Sequence, residues 1–233
     1  MKLLREYIKS LILENKSEPD LTRYVDDLED EIFSFLFTKS TFDYLQSLPE
    51  GEEATTVLET EIFKEYENIN EVHLGILVND SGQADVFAAY VCIPEDRTQS
   101  NLVLSIEIPR SYPSIDGFQD WLSGELADSL SHEIQHSCDT SEMLSGDIPS
   151  GEEKWASTQN IEKYFASDAE TRGHIAGVLG RSRRTGQDPE DLLDFDMQTI
   201  MTRAIEKGFK KEEIIPVVQN IYNKWFKRLE SLR

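Results

Sequence analysis

His132-Glu133-Ile134-Gln135-His136 combines residue types at a spacing that can do chemistry. On a helix, residues four apart share one face, one turn above the other. Both imidazoles can then reach a single metal ion at about 2.0–2.1 Å. Glu133, beside the first ligand, can reach a water on that ion. The metal lowers the water's pKa toward about 7, and the carboxylate takes its proton as the water attacks a carbonyl. The proton then passes to the leaving amine. The pattern therefore predicts one Zn2+ ion, with His132 and His136 as ligands and Glu133 as general base.

A catalytic zinc keeps three protein ligands and one open position. A third histidine at the spacing His-x-x-Gly-x-x-His is absent: Asp139 stands where the glycine would be and Glu142 where the histidine would be. Downstream, Glu152, Glu153, Glu162 and Asp168 compete with Asp139 and Glu170 for the role. Glu170 is the favoured candidate. It sits in Tyr164-Phe165-Ala166-Ser167-Asp168-Ala169-Glu170-Thr171-Arg172-Gly173-His174, where Ala169 and Gly173 would let a second helix approach closely. His174, one turn beyond Glu170, can face the same site as a hydrogen-bond donor to the transition state. Tyr164 can serve as an oxyanion donor. Cys138 continues an apolar stripe and reads as a buried thiol, and Gly180 to Gly186 (GRSRRTG) reads as a solvated basic loop.

The positioning elements are legible from periodicity. Leu122, Leu126, Leu130, Ile134 and Cys138 recur every four residues, which predicts a helix from about Asp120 to Cys138 with the histidines off the stripe. Upstream, Glu71 to Val78, Ala84 to Ile93 and Asn101 to Pro109 read as strands, with a turn at Asn79-Asp80-Ser81-Gly82. Short connections suggest an antiparallel meander. Helices are expected over 2–14, over 21–36 behind an Asp20 cap, over 160–183, after Asp188-Pro189, and over 211–232. Residues 47–56 read as loop, and 57–68 fit strand or helix equally. The fold class is α+β: an antiparallel sheet packed on an active-site helix pair, with additional N- and C-terminal helices.

Composition narrows the partners. Forty-five acidic residues against 23 basic ones give a net charge of -22. Nucleic acid and anionic membrane need clustered cations, so neither is expected. The first fifteen residues carry Lys2, Arg5, Glu6 and Lys9 within their apolar stretch, which does not suit a secretory signal. Two cysteines, Cys92 and Cys138, make no disulfide framework, and a reducing cytoplasm is the expected location.

His132-Glu-x-x-His136 followed by Glu170, 34 residues after His136, resembles the gluzincin arrangement of zinc metallopeptidases. Tyr164 to Gly173 looks like the Tyr-Tyr-x-x-Pro-x-Glu-x-x-Ala signature of small phage and bacterial members, with Phe165, Asp168 and Gly173 replacing a Tyr, the Pro and the Ala. The resemblance spans roughly residues 70–180. It implies a zincin-like core, taken as 51–186; the helical patterns on either side are read as an N-terminal segment over 1–50 and a C-terminal one over 187–233 packed on the core. It also implies that the strand Asn101 to Pro109 is a sheet edge that pairs with extended protein or peptide substrate. Met1 to Glu14, ending in Ile12-Leu13-Glu14, is similar to leader helices of proteins packaged into phage heads. That would add phage head components as partners and the virion as a location. The expected function is zinc-dependent peptide-bond hydrolysis. The alternatives are a virion-packaged or structural protein using a zincin scaffold as a binding module without proteolysis, and amide cleavage outside proteins by the same centre.

Overall fold

The computed structural model describes residues 21–58, 69–93, 95–139 and 148–232. The expected helix over 2–14 with its leader-like ending Ile12-Leu13-Glu14, the Asp20 cap, most of the ambiguous 57–68 segment and Glu142 lie outside these. The chain divides into two units, one of residues 21–138 and one holding the described residues from 139 to 232. Among the described residues, no helix is long and apolar enough to cross a membrane.

The first unit is α+β. Helix α1 (Leu21–Leu36) buries Val25, Leu28, Ile32 and Leu36. Helix α2 (Lys39–Ser47) starts at Thr38, whose hydroxyl accepts from the Thr41 amide. Strands β1 (Glu53–Leu58), β2 (Glu71–Asn79), β3 (Asp85–Val91) and β4 (Asn101–Pro109) form one sheet in the order β1-β2-β4-β3.

This order corrects three expectations. Residues 53–56 are strand, not loop; Thr55, Thr56 and Val57 supply the β-branched run. The sheet is mixed, because β2 and β4 pair in parallel while β1–β2 and β3–β4 are antiparallel. And β4 is interior; β3, like β1, is an edge among the described strands. The cause is burial. In β4, Leu102, Leu104, Ile106 and Ile108 are all fully buried, whereas β3 leaves Phe87 and Val91 exposed. The more apolar strand takes the place where both sides are covered.

Helix α3 (Phe118–Ser137) packs on β3 and α1. Leu122, Leu126, Leu130 and Ile134 are each fully buried in the core shared with β2 and β4. Its start is fixed by Gly117, a left-handed cap residue at φ 72°, and by Tyr112. The Tyr112 ring meets Phe118 at 5.7 Å and Phe42 at 5.7 Å, and its hydroxyl donates to the Leu36 carbonyl at 2.6 Å. Burial pushes that phenol's pKa up to about 12. Midway, the buried Glu29 on α1 accepts from the Ser123 hydroxyl at 2.5 Å. Together these contacts fix the azimuth of α3, and hence where its last turn points.

The second unit is helical. The signal over 160–183 resolves into α4 (Thr158–Phe165) and α5 (Asp168–Thr185), followed by α6 (Pro189–Glu206) and α7 (Lys211–Ser231). Ser167 caps α5 by accepting from the Glu170 amide, and Asp188 caps α6 by accepting from the Glu190 amide, with Pro189 in the first turn. The core holds Ile161, Phe165, Ile175, Leu193, Ile214, Ile221, Trp225 and Leu229.

Candidate metal centre

The last two turns of α3 carry His132, Glu133 and His136. The Nε2 atoms of His132 and His136 are 3.0 Å apart, and the rings meet edge to face at 4.8 Å. Two nitrogens on one tetrahedral zinc, each at about 2.0–2.1 Å, would stand about 3.3 Å apart. The pair thus fits a shared ion with a few tenths of an ångström of adjustment. The donor atoms of His132, Glu133 and His136 all lie within 4.8 Å of one another, a group able to hold a metal ion.

Glu133 is held from the sheet side. Its Oε2 accepts the backbone N–H of Tyr90, on edge strand β3, at 2.8 Å, while Oε1 stands 3.9 Å from His132 Nε2. The side chains of His132 and Glu133 are 14% and 17% exposed, so both are sheltered yet reachable. Tyr90 was not legible as a site residue, because its contribution is a main-chain donor that leaves no side-chain signature. Cys138 packs against the core but is only partly buried, not the fully buried thiol expected, and neither cysteine is in a disulfide.

In the second unit, Glu170 and His174 lie one turn apart on α5, with Glu170 Oε2 at 3.7 Å from His174 Nε2. Four of the five competing acids have other engagements. Glu152 pairs with Lys207 at 2.6 Å and Asp168 with Lys224 at 2.7 Å. Glu162 accepts from Asn220, and the fully buried Asp139 faces Arg172 at 3.4 Å. Lys207 and Lys224 hold the Glu152 and Asp168 carboxyls below the usual carboxylate range, through direct hydrogen bonds first and charge second.

Tyr164 belongs to an aromatic cluster. Its ring meets Phe165 edge-on at 4.9 Å, and Lys154 Nζ stands 4.3 Å above it. His174 stacks on the indole of Trp225 at 4.1 Å and 24°. Trp225 had no signal of its own, since it falls within the apolar stripe of α7. The basic island ends α5, with the Arg181 guanidinium over Phe195 at 5.5 Å.

No protein-family model, curated protein or solved structure matches the chain.

Proposed function

We propose that this chain is a zinc-dependent metallopeptidase with a zincin-like centre. His132 and His136 hold the ion through Nε2, and Glu170 from α5 supplies the third, carboxylate ligand. Bound zinc supplies Lewis acidity, polarising a scissile carbonyl and acidifying water. Glu133 takes the proton of the attacking water on Oε1 and delivers it to the leaving amine nitrogen, while the Tyr90 N–H keeps its Oε2 anchored. Of the two edge strands, β3 is the one whose Tyr90 amide meets Glu133, so an extended peptide docks along β3. His174 and Tyr164 remain candidates to meet the developing oxyanion.

One observation carries the reading: two imidazole nitrogens converge to 3.0 Å with a carboxylate beside them, held by the edge strand. The engagement of Glu152, Asp168, Glu162 and Asp139 with lysine, asparagine or arginine weighs against those four as the third ligand. The test is digestion of a denatured protein by the zinc-loaded chain and by E133Q. Wild type should cleave and E133Q should not, at equal zinc content. Zinc bound with both proteins equally inert over a broad substrate panel would favour the binding-module alternative.

A further inference from the structure

We propose that β3 selects its peptide through a main-chain clamp at Ala88 and an apolar contact with Phe87, which together favour a large apolar residue at the third position after the cut bond. The inference deepens the peptidase reading above and rests on it.

The alternation of an antiparallel ladder decides which edge groups face outward. The Tyr90 N–H bonds Glu133, so Tyr90 faces away from β4, and Ala88 and Val86 face the same way. The Val86 N–H is engaged as well, since the Asp85 carboxylate accepts it at 2.9 Å. Carboxylates therefore occupy the donors on both sides of Ala88. Among the described residues of β3, Ala88 offers the outward N–H that neither acid takes. Pairing along this edge concentrates on one residue, which also guards it against indiscriminate strand addition. An antiparallel peptide exchanges both main-chain bonds with Ala88 through a single residue, in the more stable of the two pairing senses.

Register follows from the clamp. The peptide residue two before the clamped one stands opposite Tyr90. Its carbonyl meets an N–H already committed to Glu133, so it is the carbonyl left for the chemistry. Cleavage there consumes one water, leaving a new carboxylate opposite Tyr90 and a new amine on the next residue. The clamped residue is then second after the cut. The third stands opposite Phe87 and shares its face of the sheet.

That face is the open one. Phe87 is 62% exposed and Val91 49%, whereas Val86, Ala88 and Tyr90 pack on the core side. A large apolar side chain at the third position covers Phe87. The fifth position meets the exposed Asp85, which lies across from Glu107, so a cation suits it.

The experiment digests a peptide library with the full zinc-loaded chain and reads cut sites by mass spectrometry. Phe, Tyr, Ile or Val at the third position should exceed Gly by about 2- to 5-fold in kcat/KM, the range of an exposed cross-strand pair. F87K should lose that preference and favour Glu there. F87A, which should lose it without the gain for Glu, serves if F87K does not fold. N-methylation of the second residue should raise KM by about 2- to 10-fold, while N-methylation of the third, whose N–H points away from β3, should not. A fluorescein-labelled peptide with Phe at the third and Lys at the fifth position reports binding without turnover. By anisotropy it should bind metal-free wild type about 2- to 5-fold more tightly than metal-free F87K. Cut sites without a preference at the third position, or with the same preference in F87K, overturn the inference and leave the peptidase reading standing. A wild-type chain that cuts nothing overturns the peptidase reading and with it the assigned register; equal binding of the labelled peptide by wild type and F87K then removes the Phe87 contact too.

Discussion

The main-chain N–H of Tyr90 points at Glu133 and bonds it at 2.8 Å, so the open edge of the sheet and the carboxylate of the chemical motif meet at a single contact. A general base works when its geometry is set before substrate arrives. Here the strand that lies next to the candidate base also sets that base's orientation.

Replacing Glu133 by Gln should reduce hydrolysis by about 10²–10⁴-fold while leaving zinc content intact. Replacing Tyr90 by Pro removes the donor at a position where the N–H faces away from β4, a placement that edge strands tolerate. Cleavage should fall while zinc affinity holds. Steady-state kinetics paired with metal analysis would distinguish the two effects, and an E133Q protein as fast as wild type would sink the role assigned to Glu133.

Loss of either imidazole should abolish metal-linked stability. Zinc at 100 times its dissociation constant should add about 2.7 kcal/mol to the native state, a gain that a chelator reverses. In H132A and H136A, calorimetry with and without zinc should give nearly the same melting temperature. E170A should show the same insensitivity; a full zinc response in E170A would point to a different third ligand.

Tyr112 anchors the start of α3, and Y112F should cost about 1–3 kcal/mol by leaving the Leu36 carbonyl without its hydroxyl partner. The phenol's raised pKa adds a pH signature. A group whose pKa is raised in the folded state stabilises below its unfolded value and loses that contribution as pH rises through the folded one. Wild-type stability should therefore decline between pH 10 and about 12, and Y112F should lack this component of the decline. Urea midpoints at several alkaline pH values measure it.

Lys224 ties α7 to the first turn of α5 through Asp168 and the Ala166 carbonyl. Because the Asp168 side chain is 79% exposed, solvent screens the pair, and K224M should lose only about 0.2–1 kcal/mol from the ion pair at pH 7. The Asp168 carboxyl is held below its ordinary value, so its contribution is complete above the unfolded pKa and disappears as pH falls through the folded one. The difference between wild type and K224M should thus shrink on acidification below about pH 4. An unchanged difference at pH 2.5 would leave only the carbonyl contact to explain it.

What the sequence disclosed follows from how local each feature is. The four-residue stripe from Leu122 to Ile134 fixed α3 to within two residues at either end, because a helix is written in neighbours. Sheet order was not legible, since the pairing of Val72 with Leu102 joins residues thirty positions apart and depends on relative burial across all four strands. The break between α4 and α5 had a readable sign, Ser167-x-x-Glu170, the spacing of a capping serine and an acid three residues on. It escaped because the surrounding periodicity runs on. The histidine pair was visible at once, whereas the contributions of Tyr90 and Trp225 depend on the folded chain.

Helix α5 holds Gly173, Gly177 and Gly180 on its buried side. Relative to alanine, three such residues cost a helix about 3 kcal/mol, so α5 owes its order to its neighbours rather than to its own preference. Glu170 and His174 lie on the turns just before and after the first of these glycines. A transient opening of that segment would carry both away together. Any cation that Glu170 holds would then act as a staple for this glycine-rich span of backbone, with its escape rate tied to amide exchange along those turns.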